Sequence, residues 1–319
     1  MTICIAAIAD RHEAIVSCVD TRISTELTTY DPIVGRKICG MRGWTMLTSG
    51  TTCYSESLVD AFQALLSKAN DNDPPAVKNM LEDALRSELA NYGAAKYLAP
   101  YGLNMQTFLA SRAAGATVGF SDEIWGELSR LILDYSDNYD AELIVSGWGE
   151  TQEKFVGTGA QAGAHIFRVS RDGATSHSDD GFYACGSGAV TAHSILAHFN
   201  HEPHAPLAHS IYHVAVAKFM AERTGTVGPN TVMRISTRTG QGNWRGYFIQ
   251  PSEVDDIRAI WSENYALKIS PRIEDAMVEI IAKHQKSQVV TEDHTFRKIN
   301  EAYEQEATRL ASQKSEPKQ

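Results

Sequence analysis

The chain opens on two short runs of apolar, β-prone residues, Thr2–Ala9 (TICIAAIA) and Ala14–Val19 (AIVSCV), parted by Asp10-Arg11-His12-Glu13. Nearly continuous apolar character bounded by a charged turn predicts a hairpin of buried strands. Its second strand delivers Asp20-Thr21-Arg22 at its end. After a polar stretch holding Pro32, Lys37–Met41 and Trp44–Thr48 form a second predicted hairpin about Arg42-Gly43, which runs out into Ser49-Gly50. Four strands are therefore expected before the first helix.

The apolar period then lengthens to that of a helix. Ser55–Lys68 sets Leu58, Phe62, Leu65 and Leu66 on one stripe, and Pro75–Tyr92 repeats the arrangement with Val77, Met80, Leu81 and Leu85. Between 93 and 137 the pattern weakens, with one helix expected at Asp122–Leu133. Strand character returns in Ala141–Gly147, His165–Ser170 and Gly181–Cys185, with Arg171-Asp172-Gly173 as a turn. Gly186-Ser187-Gly188 leads into a helix at Ala189–Phe199, and a second helix follows at about Leu207–Thr224. Strand Asn230–Thr237, turn Gly240-Gln241-Gly242 and strand Trp244–Gln250 come next. Residues 252–319 read as charged, helical and free of repeats, and the final SQKSEPKQ is expected to be disordered. Strands and helices arrive in blocks rather than as βαβ units, which predicts an α+β fold of sheets stacked between helix layers.

Composition narrows the function classes. With 319 residues and 43% hydrophobic content the chain can bury a large core. Its 29 Lys plus Arg against 39 Asp plus Glu give a net charge of −10, so nothing electrostatic favours nucleic acid or an anionic membrane. No basic segment precedes a long apolar run, and no stretch of about 18 uncharged apolar residues occurs, so a cytoplasmic location is expected. Five scattered cysteines without a CxxC pair argue against structural zinc and against a disulfide framework.

Thr2 carries the candidate chemistry. Removal of Met1 leaves a threonine with both a hydroxyl nucleophile and a free α-amine, whose unperturbed pKa of roughly 7.7–8.0 keeps a useful fraction neutral near pH 7. A threonine hydroxyl also needs a nearby cation to favour the alkoxide. Lys37 on the third strand is the candidate cation, and Asp20 at the end of the second strand is its candidate partner. Gly50, on the turn after the fourth strand, offers a backbone N–H to a developing oxyanion and lets a substrate backbone come close.

Thr2, the strand hairpin, Asp20-Thr21-Arg22, Lys37 and Ser49-Gly50 together resemble a proteasome β-type subunit, a member of the N-terminal-nucleophile (Ntn) hydrolases. AELIVSGWG, HIFRVSRDG, FYACGSGAVTAHSIL and HSIYHVAVAKFMAERTGTVGPNTVMRIS resemble the later strands and helices of those subunits, in order. The resemblance covers about 2–70 and 138–250. It implies a four-layer αββα sandwich with an enlarged middle segment (about 93–137), an Ntn hydrolase domain over 2–251, and a helical extension over 252–319. By residue, it implies Thr2 as nucleophile and base, Asp20 and Lys37 as its supporting pair, Gly50 as oxyanion donor and Ser187 beside the nucleophile's amine. Thr48, just before the oxyanion turn, is expected to line the specificity pocket. For the acidic residue late in the fourth helix the nearest carboxylate is Glu222, which departs from the usual spacing by one residue to the following hydroxyl, Thr226. The propeptide of many such subunits is missing, so methionine removal is expected to expose the nucleophile. The implied activity is a threonine peptidase acting on peptide or unfolded-protein substrates, without cofactor, within a homo-oligomeric ring or stacked assembly. The resemblance leaves open whether an ATPase partner exists. A small-molecule amidase using the same threonine, and a catalytically silent structural ring subunit, are the alternatives.

Other motifs read as structure. Gly186-Ser187-Gly188 lacks the surroundings of a phosphate loop and reads as a strand-to-helix turn. His209 and His213 are four apart on a helix, but no HExxH or acidic ligand set accompanies them, so no metal site is expected. His193, His198, His201 and His204 read as solvated loop and helix-end residues. Cys18 and Cys185 read as buried thiols, and Cys4, inside a strand, lacks the α-amine of a rival nucleophile.

Overall fold

The computed structural model describes residues 2–24, 29–30, 37–71, 73–111, 120–137, 139–148, 163–238, 244–264 and 269–285. The Gly240-Gln241-Gly242 turn, the Pro32 stretch and the expected disordered tail lie outside them. The strands are β1 (Cys4–Ala9), β2 (Ala14–Asp20), β3 (Ile23–Ser24), β4 (Thr29–Tyr30), β5 (Ile38–Met41), β6 (Trp44–Gly50), β7 (Ala141–Gly147), β8 (His165–Ser170), β9 (Gly173–Ser176), β10 (Phe182–Cys185), β11 (Thr231–Arg238) and β12 (Trp244–Phe248). The helices are α1 (Thr52–Lys68), α2 (Pro74–Gly93), α3 (Met105–Ala110), α4 (Asp122–Asp137), α5 (Ala189–His198), α6 (Leu207–Glu222), α7 (Pro251–Asn264) and α8 (Pro271–Gln285). The expected elements are present to within a few residues. The short β3–β4 ribbon was not anticipated, because two-residue strands are too brief to display an alternating pattern.

Among the described residues every paired strand is antiparallel, and apart from the β3–β4 ribbon they form two five-stranded sheets ordered β10-β1-β2-β11-β12 and β5-β6-β7-β8-β9. The chain is thus α+β with two antiparallel sheets and helices. Alternation along β1 explains its continuous apolar run, since successive side chains point to opposite faces. Ile5, Ala7 and Ala9 share a core with Ile211, Ala215 and Phe219 of α6. Cys4, Ala6 and Ile8 face the other way and cluster with Leu47, Ile144 and Ile166 of the second sheet. That sheet's remaining face, through Met46, Leu143 and Val145, packs on Leu58 and Phe62 of α1 and Leu81 of α2. In α1 the expected stripe holds at Leu58, Phe62 and Leu66, while Leu65 is 37% exposed.

Asp10, Arg11 and His12 at the β1–β2 turn all adopt positive φ (49°, 58° and 69°), a conformation that L residues with a Cβ take at a cost. Contacts from far along the chain hold it. The Asp10 N–H donates to Ala205 O at 2.8 Å and the Arg11 N–H to Pro203 O at 2.9 Å. The Leu207 N–H, in the first turn of α6, donates to Asp10 Oδ1 at 2.9 Å.

The middle segment carries a small core of its own. Beyond α2 the chain runs through a wide helical turn at Ala94–Leu98 and a tight one at Ala99–Tyr101, stopped by Gly102 at φ 69°. Leu98, Phe108 of α3 and Leu128 of α4 are buried together. At the other end of the chain, α7 and α8 lie against α6. Val254, Ile257 and Trp261 of α7, with Ile273, Met277 and Ile280 of α8, belong to the same core as α6 itself. No helix among the described residues is long and apolar enough to cross a membrane.

Candidate active site

β1 and β2 pair so that the start of the first lies beside the end of the second: Cys4 is opposite Val19, and the Asp20 N–H donates to Ile3 O at 3.2 Å. The Ile3 N–H donates to Asp20 Oδ1 at 3.0 Å, and the Gly228 N–H, before β11, donates to Asp20 Oδ2 at 2.9 Å. The Asp20 side chain is fully buried. Burying a carboxylate is costly unless it is paired and hydrogen-bonded, and the third partner is Lys37, whose Nζ lies 2.9 Å from Asp20 Oδ1.

Lys37 Nζ also donates to Thr2 Oγ1 and to the backbone oxygen of Arg22. An ammonium has three N–H donors, and these three acceptors account for all of them. The cation is therefore aimed at the threonine hydroxyl by a buried carboxylate and a carbonyl. Thr2 Oγ1 is itself 3.5 Å from Arg22 O, and Thr2 is 7% exposed. The rest of Arg22 turns aside, with Nη1 donating to Val227 O at 3.3 Å.

The backbone of Thr2 is gripped from the other flank. Its N–H donates to Ser187 Oγ at 3.1 Å, while the Ser187 hydroxyl and the Gly188 N–H each reach Thr2 O at 3.3 Å. Gly186 permits this approach: it sits at φ +89°, and a Cβ there would lie 2.4 Å from Thr2 O. The Gly-Ser-Gly turn is thus a strand-to-helix turn that also touches Thr2.

Gly50 ends β6 at φ +87° opposite Ala141, exposed, with room for a Cβ denied by Asp140 O at 2.4 Å. Thr48 is buried beside the site: its N–H donates to Lys37 O at 3.0 Å, and its carbonyl accepts from Cys4 Sγ at 3.1 Å. Glu222 stands apart. Its carboxylate accepts from Lys218 and, through both oxygens, from Arg258 at 2.6 and 2.9 Å. It makes no hydrogen bond to Thr2, Lys37 or Ser187, because two cations on the far side of the loop after α6 hold it. Thr226 is bonded to Thr224 Oγ1 at 2.9 Å.

Thr2, Asp20, Lys37 and Ser187 are therefore brought together, with Thr48 adjacent. Burial raises the Cys4 thiol well above its ordinary value, and burial pushes Cys18 up to about 12, so neither competes as a thiolate. The histidines depart from expectation at His201, which is buried: its ring bonds Ile8 O at 3.0 Å and His213 Nδ1 at 3.2 Å. His193 likewise turns inward to the backbone of Ala184. Sequence reasoning also missed Lys218, which is fully buried, and whose amine burial pushes below the usual lysine value while Glu222 opposes. A lone cation inside HVAVAKFMAE, an otherwise apolar helical run, was the available signal.

The sequence matches no protein-family model and no curated protein. Solved structures do match. An Anbu (Gly-1) mutant from Hyphomicrobium sp. strain MC1 superposes with a TM-score of 0.53 at 13% identity, covering 90% of this chain and 100% of that one. Anbu from the same organism in a second crystal form gives 0.52 at 12% identity, covering 91% and 100%. Anbu (ancestral beta-subunit) from Yersinia bercovieri gives 0.49 at 12% identity, covering 91% and 99%. Identities this low speak to the fold alone, and the chain shares the fold of the first two Anbu structures.

Proposed function

We propose that this protein is a proteasome-like threonine peptidase that uses Thr2 once Met1 has been removed. The observation that carries the reading is Lys37, with its three donors divided among Thr2 Oγ1, Asp20 and Arg22 O. A cation held there lowers the cost of developing negative charge on the hydroxyl oxygen. The Thr2 hydroxyl passes its proton to its own α-amine as Oγ1 attacks the substrate carbonyl carbon, and the Gly50 N–H receives the oxyanion. Collapse breaks the C–N bond, the α-amine returns the proton to the leaving amine, and an ester on Thr2 remains. Water, deprotonated by the same amine, then releases the acid. Ser187 orients that amine, and Thr48 borders the pocket.

In this reading the two sheets and their flanking helices form a four-layer αββα sandwich over residues 2–251, with 252–319 as a C-terminal extension. The protein works in the cytoplasm as a homo-oligomeric ring or stack. Thr2→Ala is expected to abolish peptide hydrolysis and labelling by threonine-directed electrophiles while the protein still folds and assembles. Intact-mass measurement should show loss of one methionine residue in the active form. Unchanged hydrolysis by Thr2→Ala would refute the assignment. Faster turnover of small amides than of any peptide would move it to the amidase class.

A further inference from the structure

Four charged side chains converge on one short piece of backbone behind the site, Val227-Gly228-Pro229. From the site's side, Asp20 accepts from the Gly228 N–H at 2.9 Å and Arg22 donates to Val227 O at 3.3 Å. These are the two residues whose oxygens, besides that of Thr2, hold Lys37. From the far side, Lys218 Nζ donates to Gly228 O at 2.8 Å and Pro229 O at 3.1 Å, and Arg258 Nη2 donates to Pro229 O at 3.1 Å. Glu222 ties the two cations together, accepting from Lys218 and, as a fork, from Arg258. Lys218 is fully buried and spends its donors on Glu222 and the two carbonyls, which fixes the segment against α6.

We propose that Arg258, Glu222 and Lys218 are positioning residues that set Lys37 through the grip of Gly228 on the Asp20 carboxylate. The effect on catalysis rests on the proposed peptidase reading; the mechanical coupling does not. The direction of control follows from the carboxylate's partners. Oδ1 takes Ile3 and Lys37, whereas among the described residues Gly228 alone donates to Oδ2. A displaced Gly228 leaves the carboxylate able to swing about its own bond, and Lys37 goes with it. Misplacement of a reacting group by about 1 Å can cost on the order of a hundredfold in rate. Arg258 sits on α7, so this gives the C-terminal helices a part in aiming the nucleophile.

The experiment uses full-length Arg258→Ala, Arg258→Lys and Met277→Ala. It reads kcat and KM for peptide hydrolysis, the rate of electrophile labelling at Thr2, and the rate of Lys37 acetylation by acetic anhydride, located by mass spectrometry. Arg258→Ala is expected to lose roughly tenfold or more in kcat with KM within about twofold, and its Lys37 to acetylate several-fold faster. Arg258→Lys, which keeps a charge without the fork, should recover part of the loss. Met277→Ala, which loosens the same helices without touching the segment, should lower Tm and leave kcat unchanged. Wild-type kcat and Lys37 reactivity in Arg258→Ala overturn the proposal, as does an equal kcat loss in Met277→Ala. Should Arg258→Ala fail to fold, Arg258→Gln carries the same readouts. If wild-type protein neither hydrolyses peptides nor labels at Thr2, the peptidase reading fails, and Lys37 acetylation alone decides the coupling.

Discussion

Helices α1 and α6 solve the same packing problem in opposite ways. α1 presents one stripe, Leu58, Phe62 and Leu66, to the second sheet and leaves Leu65 toward water. α6 presents every face: thirteen of its residues are buried, among them Ile211, Val214, Ala217 and Phe219, because the first sheet lies on one side and α5, α7 and α8 cover the rest. A helix that is apolar all round is stable only inside something. The C-terminal helices are therefore the missing wall of the core, and the cations Lys218 and Arg258 sit within that wall.

The sharpest way to break this contrast is to end the chain after Gln250. Val254, Ile257, Trp261, Ile273, Met277 and Ile280 are lost, each with under a tenth of its surface exposed. At about 1.5–3 kcal/mol per large apolar side chain, roughly 9–18 kcal/mol of burial disappears as an upper bound, against a typical net stability of about 5–15 kcal/mol. The shortened chain is expected to give no cooperative melt by circular dichroism; a sharp transition would show that α6 does not need its cover. Next in size, Trp261→Ala should cost about 3–5 kcal/mol in urea titration, as much as Phe62→Ala on α1. A loss below 1 kcal/mol at Trp261 alone would demote α7 to an appendage.

Acid should separate the two helices further. α1 and α2 contain no histidine, whereas α6 carries His213, whose imidazole burial pushes down to about 3, with His201 and His209 adding to the effect. A depressed folded-state value means that the unfolded chain binds the proton first. The stability from keeping this ring neutral is complete above about pH 6.5 and drains away as pH falls toward 3. At pH 5 the loss is on the order of 2 kcal/mol. Comparing Tm at pH 7 and pH 5 for wild type and His213→Gln checks this, the variant being expected to show the shallower slope. The smallest effect belongs to α2, where Arg86→Ala removes an exposed pair with Asp83. A change within about 0.5 kcal/mol is expected in the same titration.

The strands that frame Thr2 were legible in the chain because burial on both faces writes continuous apolar runs, and Asp20 and Lys37 stood out as charges at the ends of such runs. Ser187 entered only through resemblance, since nothing local to a Gly-Ser-Gly turn says that residue 2 lies across from it. The reading of α1 erred at Leu65, where neighbouring leucines cannot both lie at the centre of one stripe. His201 was misjudged because a histidine in a loop looks solvated until the carbonyl it serves, Ile8 O, is located. The partners of Glu222 were hidden for a similar reason. Arg258 is 36 residues away in sequence, and only the docking of α7 on α6 brings the fork onto the carboxylate.

The turn of three consecutive positive-φ residues at Asp10–His12 has a consequence in time as well as in space. It is held by Pro203, Ala205 and Leu207, β1 is flanked by β10, and β2 by β11. The β1–β2 hairpin is thus synthesised well before the segments that brace it. At roughly 5–20 residues per second, some tens of seconds separate synthesis of Thr2 from that of Gly228. Until then Asp20 lacks the Gly228 N–H on its Oδ2, and β2 lacks its β11 neighbour.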